Sequence, residues 1–106
     1  MGAFYIAPII GAMEKSTHTK EYALVRAELK AAREGAQLSQ RALAARLGTP
    51  HSWVAKVEAG ERRIDVVELC WILTACGKPA PRALAELGKN IVAMDARRHS
   101  RGGRSA

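Results

Sequence analysis

The chain has 106 residues, a length that one core with tails accounts for. Apolar residues make up 48% of it but include only one Phe, two Tyr and two Trp, so Ala and Leu fill much of the interior; this favours close-packed helices over strands rich in Val and Tyr. A formal charge of +7 and a pI near 10.0 favour a polyanionic partner, nucleic acid ahead of an anionic membrane.

From the N-terminus, "MGAFYIAPII" is apolar but short, contains Pro8 and lacks a basic flank. It fits neither a signal peptide nor a membrane span of about 20 residues. Residues 1–18 are expected to form a flexible or dimer-contacting arm, with Met13 as an alternative start. From Thr19 or Lys20 to Glu34, Tyr22, Val25, Leu29 and Ala32 recur at helical spacing. "GAQ" breaks this first helix. Ser39 caps a second, "QRALAARL", which carries Leu43, Ala44 and Leu47 on one face. Gly48 ends it as a left-handed turn residue. Thr49 is the expected cap of a third helix, with Pro50 at its first position, where a missing N–H is harmless. That helix runs to about Ala59 and stops at Gly60.

The spacing Asp65-x-x-Glu68 predicts a capping box with Asp in place of Ser or Thr. The fourth helix that follows reaches Cys76, with Val66, Leu69, Ile72, Leu73 and Cys76 apolar, until Gly77 and Pro79 stop it. "APRALAEL" predicts a fifth short helix from about Pro81 to Leu87, with Leu84 and Leu87 inward. Residues 89–106 are expected to add at most a turn of helix before a basic, flexible tail, which leaves 19–88 as the domain. Strand patterns and internal repeats are missing. The expected fold is all-α, a compact bundle of five short helices.

Cys70 and Cys76 lie about 240° apart around one helix, so they do not bridge readily. Without zinc-type spacing they read as small core hydrophobes of a reduced, cytoplasmic protein. No convergent Ser/His/Asp set is present, and little chain remains to build a cleft, so neither catalytic residues, metal nor cofactor is expected.

The informative unit is the second and third helices, joined by three or four residues that include a glycine. Ala44 is small where the next helix crosses, Gly48 makes the turn, and Val54 and Val57 return the third helix to the core. This is the geometry of a helix-turn-helix, whose second helix enters a DNA major groove about 12 Å wide. With Val54 inward, Ser52, Ala55, Lys56 and Ala59 face out, and Trp53 falls on the flank beside Val57. Trp71 reads as core or dimer interface.

Residues 29–87 resemble the Cro and phage-repressor type of helix-turn-helix domain, often called the XRE family. The resemblance rests on "LKAAR" (29–33), "LSQRALAARLG" (38–48), "WVAKVEAGERR" (53–63) and "DVVELCWILTACG" (65–77). Gln37 stands where the family often has glycine, with Gly35 offering an alternative break. The resemblance implies a lambda-repressor-like fold and assigns roles by position. Gln40 corresponds to the glutamine that binds a phosphate and braces the recognition helix. Pro50, His51, Ser52, Ala55 and Lys56 match positions that face bases or adjoining backbone. Arg62 and Arg63 match a basic turn that meets phosphate, and Arg41 and the Trp53 N–H join them as phosphate contacts. Arg33 and Glu58 correspond to a buried ion pair between the first helix and the recognition helix, a role that suits two-point Arg–carboxylate pairing. Among these Lys56 is the best base reader, and His51 can donate to guanine or to a phosphate.

The implied function is a sequence-specific, double-stranded DNA-binding transcriptional regulator, a repressor, that binds a palindromic operator as a homodimer in a bacterial or phage cytoplasm. The alternative is a protein-interaction module on the same fold, a bridging coactivator or an antitoxin-like protein, for which the basic tail "ARRHSRGGRSA" leaves room.

Overall fold

The computed structural model describes residues 18–105, with side chains described from 18 to 94, so the expected N-terminal arm lies almost wholly outside the described residues. Within them the chain forms five helices and no strand: α1 (Lys20–Gly35), α2 (Gln40–Leu47), α3 (His51–Ala59), α4 (Val66–Ala75) and α5 (Ala80–Ser105). The fold is all-α with a helix-turn-helix, as expected. None of these helices is long and apolar enough to cross a membrane.

Local chemistry sets most of the boundaries. The Thr19 hydroxyl accepts from the Tyr22 N–H at 3.1 Å and Ser39 from the Ala42 N–H at 3.0 Å, each satisfying a donor that the first turn leaves open. Asp65 accepts from the Glu68 N–H at 2.7 Å while Glu68 accepts from the Asp65 N–H at 3.1 Å, a complete capping box. Gly48 (φ 71°) and Gly60 (φ 81°) end α2 and α3 in the left-handed conformation.

The core draws on every helix: Leu29 and Ala32 from α1, Leu43 and Ala44 from α2, Val54 and Val57 from α3, Leu69, Ile72 and Leu73 from α4, and Leu87 from α5. Each buried Leu contributes about 1.5–3 kcal/mol by leaving water. Ala44 is fully covered where α3 crosses α2, and a larger side chain there would push the two helices apart. The Tyr22 hydroxyl accepts from the Ile64 N–H at 3.1 Å, so the start of α1 ties down the segment that leads into α4.

Several expectations are corrected. Thr49 does not cap α3, because its hydroxyl turns back to the Ala44 carbonyl at 3.4 Å. Pro50 occupies the N-cap position itself rather than the first helical one, and α3 starts with no side-chain cap. Gly35 is the last residue of α1 and not the turn maker; the turn is made by Gln37, which adopts φ 59° without being glycine. Val66 points to solvent (63% exposed), and Trp71 (62% exposed) is not a core residue. Cys76 is buried, Cys70 only partly, and both are free thiols. The fifth helix neither starts at Pro81 nor stops near Leu87: it begins at Ala80 and continues to Ser105 through the stretch expected as a tail. The half-buried Leu84, Ile91 and Met94 continue the spacing of Leu87, and no proline follows Pro81 to interrupt the helix.

The left-handed residues give opposite predictions. Gln37→Gly is expected to raise stability by about 1 kcal/mol, because it removes a Cβ from a conformation that penalises one. Gly60→Ala is expected to lower it by about 1–2 kcal/mol, since the new Cβ would also lie 3.3 Å from the Arg26 side chain. Urea unfolding midpoints of the two variants check both signs.

Candidate nucleic-acid interface

The α2–turn–α3 unit is held by a network that converges on one carboxylate. Glu58 accepts from Arg33 Nε at 2.7 Å and Nη2 at 3.1 Å, and from Gln40 Nε2 at 2.9 Å. Arg33 Nη1 donates to the Leu38 carbonyl at 2.9 Å, so the same guanidinium also fixes the α1–α2 turn. Both ionic side chains are about nine-tenths covered (10% and 8% exposed), which makes this a buried pair with its hydrogen-bonding capacity largely used. Burial alone would push the Glu58 carboxyl up, but the hydrogen bonds from Arg33 and Gln40, together with the Arg33 charge, hold it below its ordinary value. The hydrogen bond to Glu58 raises Arg33 in turn, against its own desolvation.

This network sorts the faces of α3. Val54 and Val57 are buried, Trp53 and Glu58 lie on the flanks, and His51, Ser52, Lys56 and Ala59 are exposed with Ala55 half-buried between them. Pro50 is exposed at the leading end. Of the five residues expected to face bases, four are exposed and Ala55 is half-buried. They are short side chains around a single long cation, Lys56, which suits entry into a groove.

The residues expected to meet phosphate divide. Arg41 is exposed on the first turn of α2, and Gln40 beside it keeps a second amide N–H beyond the one given to Glu58. Arg63 is exposed, and its guanidinium has no partner among the described residues. Arg62 is engaged. Its guanidinium lies 5.0 Å from the Trp53 ring centroid, pairs with Glu68 through two 3.3 Å contacts, and donates to the Arg63 carbonyl at 3.0 Å. The hydrogen bonds from Arg62, and then from the Asp65 N–H, hold the Glu68 carboxyl below its ordinary range.

Two participants escaped the sequence reading. Arg26 donates to the Glu58 carbonyl at 3.4 Å and lies over Gly60, so a guanidinium sits at the C-terminal end of α3, where carbonyls are left open. Its Nε is buried without a hydrogen-bond partner. The available signal was its place two helical turns before Arg33 on the same face of α1. Glu68 was read as a cap; its second role with Arg62 has no local signature.

Residues 24–87, well over half of the chain, match the helix-turn-helix domain family, and the chain belongs to it, within the XRE-like superfamily. Curated proteins provide no match. Membership carries DNA binding and the role of a DNA-binding regulator.

Removing the junction should show in both stability and its pH dependence. Glu58→Ala is expected to cost roughly 3–5 kcal/mol near neutral pH, because Arg33 would be left buried and unpaired. The pair's contribution is complete above the ordinary carboxylate range and disappears as pH falls through the depressed Glu58 value. The gap between variant and wild type should therefore narrow in denaturant titrations repeated from about pH 7 to about pH 3. A gap independent of pH would remove the ionised carboxylate from the explanation.

Proposed function

We propose that this helix-turn-helix protein is a sequence-specific transcriptional regulator, a repressor, that binds a palindromic operator in double-stranded DNA as a homodimer and reads it through α3. The observation that carries this reading is the division of α3 into a face locked to the domain by Val54, Val57 and Glu58 and an outward face of Pro50, His51, Ser52, Ala55 and Lys56. Lys56 reads a base edge, guanine O6 or N7 being the natural acceptor, while His51 and Ser52 contact a base or the adjoining phosphate. Arg63, Arg41 and the second amide N–H of Gln40 contact the backbone, which sets register without selecting sequence.

The dimer is supported by the apolar residues that the fold leaves outside. Val66, Val67 and Trp71 are 63, 50 and 62% exposed, and Val67 and Trp71 stand one turn apart on α4. An exposed apolar stripe of this kind marks an interaction surface. Paired through α4, two copies present two α3 helices to half-sites about 10–10.5 bp apart or a multiple of that spacing.

Selection of bound duplexes from a random pool is expected to return a palindrome. Lys56→Ala should change the preferred base at one position of each half-site, a loss of about 1–3 kcal/mol of discrimination. Arg63→Ala should weaken all sequences about equally and make the log–log salt dependence shallower by about 0.9. Wild-type behaviour of both variants would mean that another surface binds DNA. Sedimentation velocity tests the dimer separately: Trp71→Asp is expected to give monomers that bind half-sites weakly, and an unchanged dimer would place the interface elsewhere.

A further inference from the structure

We propose that Arg62 is a positioning residue for α3 and not a phosphate ligand: held between the Trp53 ring and the Glu68 carboxylate, it fixes the leading half of the reading helix against the start of α4. This rests on the reading of α3 as the DNA-reading helix.

The two ends of α3 are secured differently. Its C-terminal half is tied by Glu58 to Arg33 and Gln40 and is covered by Arg26 at Gly60. Its leading end has neither device, since Pro50 supplies no side-chain cap and Thr49 bonds away from the helix to Ala44. Trp53, the third residue of α3, is half-buried, and Arg62 lies over its ring at 5.0 Å. The edge of the guanidinium meets Glu68 through Nη1–Oε1 and Nη2–Oε2 contacts of 3.3 Å each. Glu68 is itself immobilised, because its Oε1 also accepts the Asp65 N–H at 3.1 Å in the capping box. Ring, guanidinium, carboxylate and helix cap thus form one continuous chain of contacts from α3 to α4.

A phosphate arriving at Arg62 competes with a carboxylate already in two-point contact and finds only the Nε–H and one Nη2–H open, whereas at Arg63 it meets no competitor among the described residues. Arg62 and Glu68 are partly exposed, at 40 and 20% of their side chains, so solvent screens the pair and its weight in global stability is small. Its consequence is geometric. Base readout needs side chains held within a fraction of an ångström of their acceptors, and the residues that do the reading surround Trp53 on the first two turns of α3.

Salt titrations on an operator duplex and on an unrelated duplex separate the two roles. Arg62→Gln and Glu68→Gln are each expected to reduce the ratio of operator to non-specific affinity about tenfold, with the salt slope unchanged. Glu68→Gln keeps an acceptor for the Asp65 N–H, so the cap of α4 survives. The double variant should be no worse than either single one, because both remove the same contact. Arg62→Lys keeps the charge but not the planar two-point geometry and should not restore the ratio. The proposal is overturned if Arg62→Gln makes the slope shallower by about 0.9, if Lys rescues binding, or if Glu68→Gln binds as well as wild type. An independent reading comes from the free protein with Trp71→Phe, in which Trp53 is the sole indole. There Arg62→Gln and Glu68→Gln should shift its emission alike, and an unmoved spectrum refutes these contacts. Should the wild type bind no duplex at any salt, the assignment of α3 fails while the emission measurement still decides whether the contacts exist.

Discussion

Three hydrogen bonds from two other helices converge on the Glu58 carboxylate: two from Arg33 on α1 and one from Gln40 at the start of α2. The carboxylate belongs to α3, a helix of nine residues, well below the length at which an isolated helix holds together in water. Its helical form and its place therefore both derive from the tertiary network. Burying an ion pair is costly unless the geometry is good and the remaining polar atoms are satisfied. Both conditions are met here: the two charges face each other in two-point fashion, Gln40 fills another acceptor site, and the third Arg33 nitrogen bonds to the Leu38 carbonyl. Hydrophobic contact through Val54 and Val57 holds α3 to the core, but such contact has no direction. The hydrogen bonds of Glu58 supply the direction.

Arginine is used in two ways in this chain. Arg26, Arg33, Arg46 and Arg62 all bond to groups within the domain: the end of α3, the Glu58 carboxylate, the Ala75 carbonyl at the end of α4, and the Glu68 carboxylate beside the Trp53 ring. Arg41, Lys56 and Arg63 are exposed around the α2–α3 unit. Four of the 17 Lys and Arg residues thus serve the architecture of the domain, and the formal charge of +7 does not distinguish them from the cations that face outward. A guanidinium suits both tasks, since its planar fork bonds carboxylates and carbonyls as readily as phosphates.

Much of the fold was legible because its signals are local. The Ser39 cap, the Asp65–Glu68 box, Gly48 and Gly60 each act within a few residues, and the periodic apolar positions of α1 and α2 end up facing the core. The misses arise where a residue has a choice of partner that sequence spacing does not rank. Thr49 can cap forward or bond backward, and the Ala44 carbonyl at the end of α2 decides for backward. Gln37 takes a conformation normally left to glycine because α1 and α2 are both anchored, by Arg33 at Leu38 and Glu58, and the connection has to close. Arg62 and Arg63 look equivalent side by side, yet only the fold brings Trp53 and Glu68 to the first of them. The length of α5 was hidden by Gly88 and the later glycines, whose helix-weakening effect did not end the helix.

The separation of α3 into a tethered face and an outward face has an evolutionary consequence. Substitutions at the exposed His51, Ser52 and Lys56 touch none of the side-chain bonds that keep the helix in place, so they can accumulate without crossing a stability threshold. Val54, Val57 and Glu58 have no such latitude. Under the proposed reading of α3, a lineage built on this scaffold can therefore drift in what it recognises while its architecture stays constant, with new specificities arising from old ones in single viable steps.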